Sequence, residues 1–126
     1  MCFVTAKVLI GGEKTKLEEV DFLADSGSFH PIIPPDLAQR LGIKPILETE
    51  LILADKRKVK VPISNAYFKL LDREAPFQVV IMDVPQPLLG VTVLEGLGVK
   101  INPATGKLEH SRSFGLAALG VIVNYG

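Results

Sequence analysis

The fold is decided by residues 20–35, which read VDFLADSGSFHPIIPP. The run from Val20 to Ala24 is largely apolar, as expected of a β-strand, and it ends abruptly in Asp25, Ser26 and Gly27. Glycine adopts positive φ angles at little cost, so the chain can turn immediately after the strand. A carboxylate at such a junction is held by its neighbours instead of being freely solvated. Asp25 is therefore the first candidate for a catalytic group.

Short apolar runs separated by turn residues account for most of the chain. Gly11-Gly12, the charged segment Asp55-Lys56-Arg57-Lys58 and the turn at 102–106 each separate two such runs, which predicts hairpins. This alternation of short strands and turns predicts an all-β, barrel-like domain. The predicted strands cover residues 3–10, 17–24, 48–54, 59–63, 66–71, 77–82, 99–101 and 107–109, and short helices are predicted over 36–41 and 92–97.

Length and composition limit the class of protein. A chain of 126 residues, 48% of them hydrophobic, fits one globular domain. Basic and acidic residues balance at 14 each, so no net field attracts nucleic acid or an anionic membrane. A single cysteine and two distant histidines predict neither an internal disulfide nor a metal site, and we expect no cofactor. No signal peptide or membrane-length apolar run is evident, so a cytoplasmic protein is expected.

The Asp25-Ser26-Gly27 triplet at the end of an apolar strand resembles the signature of the retropepsin-like aspartic proteases. Leu88-Leu89-Gly90 resembles the family's two hydrophobic residues plus glycine, and the next residues, 91–98, continue the likeness. Residues 102–108 look like the closing hairpin of single-domain microbial members. The resemblance implies a retropepsin-like closed β-barrel over residues 1–109, in a homodimer that hydrolyses peptide bonds. Leu88, Leu89 and Gly90 would support the catalytic loop.

Peptide hydrolysis without a metal needs one group that takes a proton from water and another that gives one to the scissile carbonyl. Two carboxylates about 3 Å apart share one proton and do both. This chain has one Asp-Ser-Gly, because its other aspartates are followed by different residues. Asp21 would lie roughly 13 Å from Asp25 along a strand. The second carboxylate must therefore come from a second copy of the chain, in a symmetric homodimer.

The resemblance also assigns roles to the neighbours of Asp25. Ser26 would hydrogen-bond the facing loop and stiffen the pair of carboxylates, and Gly27 would let the loop turn with its N–H close to them. A hydroxyl that donates to a carboxylate lowers the pKa of that carboxylate. Ser28 is expected to do so, which predicts an acidic activity optimum.

A second group of expectations concerns the segment over the site and the C-terminus. By resemblance, the hairpin at about 48–63 is the flap, with Ala54, Asp55, Lys56 and Arg57 at its tip. Family flap tips commonly contain glycine and this one does not, so its opening and substrate capture are in question. Residues 110–126 form a tail that either packs on the domain, frays, or serves as a dimerisation strand.

Several alternatives remain open at this point. The chain could be a non-catalytic dimeric module that binds extended peptides by strand addition. It could also be a monomeric domain in which Asp25 has no catalytic use. The basic run at 56–60 suggests nucleic-acid binding but lacks aromatic residues and fits a solvated hairpin tip. His30 lies close to Ser28 in sequence, yet residues this close rarely form a catalytic triad, so a structural role is favoured.

Overall fold

The structure is a computed structural model that describes residues 4–24 and 27–112. Its first two strands, β1 (Val4–Glu13) and β2 (Lys16–Ala24), form an antiparallel hairpin, as predicted. Alternate side chains along β1 point into the core, which is the period-two pattern of a half-buried strand. The buried members of this set include Ala6, Val8 and Ile10.

The turn of this first hairpin is not where the glycines suggested. It lies at Lys14-Thr15, next to the paired residues Glu13 and Lys16. The register shifts between Ile10 and Glu13, so Gly11-Gly12 lie in an irregular part of β1 and do not separate the strands. Glycine within a strand often marks such a bulge.

The longest strand, β5 (Lys58–Leu70), is the centre of the sheet. On one side it pairs with β6 (Arg73–Ile81) from Ile63 to Leu70. On the other side its first half pairs with β4 (Leu47–Ile52), and three residues near its end pair with β1. All of these pairings are antiparallel.

The prediction of two separate strands over 59–63 and 66–71 is wrong, because β5 continues through both. The residues between the two predicted strands are the polar Ser64 and Asn65. Ser64 is nevertheless buried, and its hydroxyl donates to the carbonyl oxygen of Lys44 at 2.6 Å. A buried polar group with a hydrogen-bond partner does not interrupt a strand.

A short strand and a short helix follow the loop at 27–30. β3 (Ile32–Ile33) runs parallel to the end of β6. The helix α1 (Pro35–Arg40) starts at a proline, whose fixed φ suits the first helical position and whose missing N–H has no helical partner to lose. Leu37 and Ala38 face the core. The prediction of a helix over 36–41 is confirmed to within one residue.

The last described part of the chain holds a second helix and a small sheet. The helix α2 (Val91–Leu97) ends at Gly98 and leads into β7 (Val99–Ile101), which pairs antiparallel with β8 (Leu108–His110). The N–H of Ser111 then donates to the carbonyl of Gly98 at 2.7 Å. The predicted dimerisation tail falls mostly on residues 113–126, which lie outside the described residues.

The strands do not close into a barrel. The strand order is β2-β1-β5-β6-β3, with β4 paired to β5 beside this path. Within the described ranges, β2 and β3 are joined only by isolated bridges from Leu88 to Leu23 and to Ile32. Pro85 and Pro87 lack N–H groups, so a longer strand cannot form just before Leu88. The closed barrel expected from the resemblance is thus an open, mostly β architecture with two short helices.

Aromatic and branched side chains fill the core between the sheet and the helices. The rings of Phe22 and Phe68 are fully buried and meet edge to face, with centroids 6.0 Å apart. Burying one such side chain stabilises the fold by about 1.5–3 kcal/mol. A smaller cluster of Val61, Ile63 and Val80 lies beneath the β4–β5 hairpin. The hairpin therefore has its own apolar support, separate from the main core.

Two features of the described chain concern membrane and metal binding. No helix in residues 4–24 and 27–112 is long and apolar enough to cross a membrane. The same ranges contain no group of three or more His, Cys, Asp or Glu side chains placed to hold a metal ion.

An ion pair between Asp72 and His110 predicts that the stability of the fold falls slightly in acid. His110 Nε2 lies 2.7 Å from Asp72 Oδ1, and this hydrogen bond lowers the pKa of Asp72 below its ordinary value. A lowered carboxyl pKa stabilises the fold above the ordinary value of ~3.9, and the stabilisation is lost as the pH falls through the lowered pKa. We expect Asp72→Asn to lower the melting temperature slightly at about pH 5–6 and not at about pH 2.

The matched control for this experiment is Asp83→Asn, because Asp83 is also exposed. Thermal melts of the three proteins across the acid range are the measurement. An Asp72→Asn effect that stays constant with pH would show that the carboxylate charge is not responsible.

Candidate active site

The end of β2 is held by the backbone of residues 87–90. The N–H of Leu23 donates to the carbonyl of Pro87 at 2.8 Å, and the N–H of Leu89 donates to the carbonyl of Leu23 at 2.9 Å. Leu88 exchanges two further bonds with Ile32, both at 2.9 Å. Residue 23 and residue 32 lie on either side of the loop that contains Asp25. Both ends of that loop are therefore tied to the same segment, as expected for residues that support it.

Gly90 allows this segment to pass directly beneath the loop. Its φ of 75° and ψ of 150° fall in a region that essentially only glycine occupies. A Cβ at this position would lie 2.6 Å from the carbonyl carbon of His30 and 2.8 Å from the nitrogen of Pro31. No side chain fits in that space.

The start of α2 holds the loop from the other direction. The N–H of Val91 donates to the carbonyl of Ser28 at 2.9 Å, and the N–H of Thr92 donates to the carbonyl of Phe29 at 3.1 Å. The first N–H groups of a helix have no partner within the helix, so they are available for such bonds. The loop thus supplies acceptors that the helix needs, and the helix restrains the loop.

Asp25 and Ser26, the predicted catalytic residue and its neighbour, lie outside the described residues. The described residues on either side are Ala24, the last residue of β2, and Gly27, which is exposed. The backbone bonds at Leu23 and Ser28 therefore restrain the chain on both sides of the predicted catalytic position.

The hydroxyl of Ser28 has a partner in its own loop: it donates to the carbonyl oxygen of His30 at 2.8 Å. Donation from Ser28 to the carboxylate of Asp25 stays a prediction, because Asp25 lies outside the described residues. The bond does not join Ser28 to the imidazole, because its acceptor is the backbone of His30. The His30 ring instead packs edge to face on Phe29, with centroids 4.8 Å apart, which agrees with a structural role for that histidine.

A groove lies between the loop and the β4–β5 hairpin. It encloses a cavity of about 350 Å³, and residues 27–30 form one wall while residues 51–54 form the opposite wall. Its floor is apolar and is contributed by Ile32, Val80 and Met82. Phe29, with 65% of its surface exposed, and Ile52 present large apolar side chains at the rim. An extended peptide with a bulky apolar side chain suits this shape and lining.

The tip of the β4–β5 hairpin is a tight turn built without glycine. The N–H of Lys56 donates to the carbonyl of Leu53 at 2.8 Å, and Lys56 takes a φ of 69°. This is the three-residue hairpin loop in which the last loop residue is left-handed, a position that favours glycine. Asp55 accepts bonds from both the N–H and the Nε of Arg57, at 3.0 and 2.6 Å. These bonds explain how Ala54 to Arg57 form a tip with a lysine at the strained position.

A comparison with protein families decides the classification. The family model described as "Aspartyl protease" matches residues 6–93, which is more than half of the chain. The chain belongs to the retropepsin-like aspartic protease family. No curated protein matches it.

Two solved structures of retropepsin-like proteins share the fold. One is EIAV protease complexed with the inhibitor HBY-793, with a TM-score of 0.61 and 21% identity, over 78% of this chain and 90% of the other. Another is the retroviral protease-like domain of Ddi1 from Leishmania major, with a TM-score of 0.59 and 16% identity, over 90% of this chain and 91% of the other. At these identities the likeness concerns the fold, and the chemistry must be argued from this chain's own residues.

The structure places some of the residues predicted from sequence in this groove, together with residues that the sequence did not indicate. Residues 27–28 lie in the groove with Ala54, one of the four tip residues; Asp55, Lys56 and Arg57 are not among the lining residues. Phe29 was missed, although an aromatic residue directly after the Asp-Ser-Gly loop is a usable signal. The N–H groups of Val91 and Thr92 were also missed, because backbone donors have no sequence signature.

Gly90→Ala is expected to destabilise the fold by about 3 kcal/mol or more, because the strained φ and the backbone collision add together. The matched control is Gly42→Ala. Gly42 has a φ of 72°, but a Cβ there meets nothing within 4 Å, so only the conformational cost of about 1–2 kcal/mol applies. Urea denaturation measures both. Equal losses in the two variants would show that the close approach to His30 is not important.

Proposed function

We propose that this chain is an aspartic endopeptidase that acts as a homodimer, with Asp25 of each copy forming a carboxylate pair that activates water. The observation that carries the proposal is the family match together with an Asp-Ser-Gly motif whose flanking residues are tied down on both sides. Two carboxylates close together cannot both ionise, so one keeps a proton. The ionised carboxylate takes a proton from water while the protonated one donates to the scissile carbonyl.

Three of the five other aspartates, Asp21, Asp55 and Asp72, are paired with basic side chains elsewhere on the chain. Asp21 lies on the sheet surface with Oδ1 3.4 Å from Lys7 Nζ, and its negative charge raises the pKa of Lys7. Asp55 is bound to Arg57, and Asp72 to His110. These pairings support the proposal that the partner carboxylate comes from a second copy.

An apolar surface next to Ala24 supports the proposed dimer. A cavity of about 460 Å³ is lined by Ala24, by the α2 residues Val91 and Leu94, and by Val99 and Ile101 of β7. Ala24 directly precedes Asp25 in the chain. A two-fold axis through this surface would bring the same residues of both copies together, and with them the two Asp25 residues. Burial of this surface would also supply hydrophobic stabilisation for the dimer.

In the same proposal, the β4–β5 hairpin is the flap and the groove beneath it holds the substrate. The apolar floor and the exposed apolar side chains at the rim favour unfolded or extended segments with large apolar side chains near the scissile bond. Val61 and Ile63 of the hairpin form a small cluster with Val80 of β6, so the hairpin has apolar support of its own if it moves to admit a peptide.

A second function, peptide binding without cleavage, is favoured by one observation. Among the residues that the structure describes, β4 pairs only with β5, so its outer edge presents free backbone groups. An extended peptide can add to such an edge as a further strand. This function does not use Asp25.

Cleavage of an unfolded protein substrate between about pH 3 and 8 tests the proposed activity. We expect activity to be greatest in acid and to fall as the shared proton is lost, because the pair works only when singly protonated. Asp25→Asn is expected to lower kcat at least about 100-fold. The matched control is Asp21→Asn, four residues earlier in the sequence and on β2, which should keep wild-type activity.

The outcomes separate the two functions. Activity that survives in Asp25→Asn would contradict the carboxylate mechanism. A wild-type protein that binds the unfolded substrate without cleaving it would support the peptide-binding module.

The dimer is tested by Leu94→Gln, which places a polar group on the apolar surface beside Ala24. We expect the dimer to dissociate at least about 10-fold more readily in sedimentation velocity and the specific activity to fall with dilution, because unpaired polar groups oppose burial. Ile46→Gln is the matched control, since Ile46 is exposed on the other side of the groove. If both variants keep the wild-type sedimentation profile, this surface is not the interface.

A further inference from the structure

The helix α2 connects the catalytic loop with the β5–β6 turn. At its start, the N–H groups of Val91 and Thr92 bind the carbonyls of residues 28 and 29. At its end, Arg73 Nη1 donates to the carbonyls of Leu97 and Gly98, both at 2.9 Å. Arg73 is the first residue of β6 and pairs with Leu70 across the turn. The helix therefore lies between the loop and the paired strands β5 and β6.

A second arginine reaches the same end of the helix. Arg112 Nη2 donates to the carbonyl of Glu95 and lies 3.5 Å from the carbonyl of Gly96. The carbonyls at the end of a helix and the N–H groups at its start are the groups that the helix leaves without partners. Positive charge at the C-terminal end also suits the helix dipole. Both ends of α2 are thus completed by other parts of the chain.

The core and the end contacts hold α2 in different ways. The buried side chains of Val93 and Leu97 pack into the main core, and such apolar contacts are non-directional. Hydrogen bonds are directional and require a narrow range of donor–acceptor distances. The bonds from Arg73 therefore fix the last turn of α2 relative to the β5–β6 turn, and the N–H groups at the start of this short helix place the loop.

We propose that Arg73 is a positioning residue for the catalytic loop and acts on it through α2. The proposal rests on the proposed protease function, because it assigns Arg73 an effect on kcat. Two carboxylates share a proton only at a separation near ~3 Å. A displacement of about 1 Å at a reacting group lowers the rate about 100-fold. Residues 27–30 form one wall of the groove, but its floor and the β4–β5 hairpin are not part of α2, so KM is expected to change less than kcat.

The first test compares the kinetics of Arg73→Met with those of Arg40→Met. Arg40 donates two hydrogen bonds to Glu18, at 3.0 and 2.6 Å. Neither bond involves α2 or the loop. We expect Arg73→Met to lower kcat, per active site titrated with a tight-binding inhibitor, by about 10-fold or more with KM changed less than about 2-fold. Arg40→Met should leave both constants unchanged.

Arg73→Lys separates positioning from charge. Lysine keeps the positive charge but lacks the planar fork that reaches two acceptors with fixed geometry. We expect partial recovery of kcat, between the values for Arg73→Met and wild type. If Arg73→Met fails to fold, Arg73→Lys still tests the proposal. A melting temperature lowered by Arg73→Met or Arg73→Lys with kcat per titrated site unchanged would overturn the proposal.

Hydrogen exchange tests the positioning role without any need for activity. We expect the amides of Val91 and Thr92 to exchange at least about 10-fold faster in Arg73→Met, because their bonds to the loop open more often. The amide of Phe68, a fully buried residue of β5 that pairs with both β1 and β6, is the internal reference for global stability. Equally faster exchange at all three amides would show that Arg73 has only a structural role.

The two measurements keep the proposals distinguishable. If the wild-type protein does not cleave peptides but exchange at Val91 and Thr92 responds to Arg73→Met, the protease function fails and the positioning of the loop stands. If cleavage requires Asp25 but neither kcat nor exchange responds, the protease function stands and the role of Arg73 fails.

Discussion

The structure depends on the backbone hydrogen bonds that residues 87–90 make with the end of β2 and with β3. These two strands end the strand order β2-β1-β5-β6-β3, and Leu88 is the residue that bridges both of them. Without this segment, the backbone groups of Leu23 and Ile32 would lose these partners. The same bonds hold the two ends of the loop that contains Asp25. The contacts that join the two ends of the sheet are thus also the contacts that hold this loop.

Backbone contacts of this kind explain how the site tolerates sequence change. The loop is held to α2 by the carbonyls of Ser28 and Phe29, and these acceptors are present whatever side chains the residues carry. Gly90 is different, because the absence of its side chain is what allows the close approach. A fold maintained in this way is consistent with TM-scores near 0.6 at identities of 21% and 16%. Side chains such as Phe29 are then free to adapt the groove to a substrate.

The two walls of the groove differ in how they are stabilised. The loop wall is held by hydrogen bonds to α2 and to residues 87–90. The opposite wall is a two-stranded hairpin whose tip depends on the bonds between Asp55 and Arg57 and contains Lys56 in a left-handed conformation. Local stability follows the number of buried contacts and protected hydrogen bonds, so the hairpin is the wall expected to move. A fixed loop wall and a movable opposite wall agree with the proposed function, in which the groove must admit a long peptide.

The amino-acid sequence by itself determined the local features of this protein. Alternating apolar residues specified the strands around Asp25, Pro35 and Gly98 marked a helix start and a helix end, and one Asp-Ser-Gly motif per chain pointed to a second copy. These features depend on neighbours in sequence, so patterns reveal them. The sequence did not reveal the continuity of β5 through Ser64, the open sheet bridged by Leu88, or the bond from Ser28 to His30. Nor did it reveal the hydrogen bonds from Arg73 to the end of α2. Only the tertiary structure decided these, because each depends on a backbone group as hydrogen-bond partner, and backbone groups are the same in every amino acid.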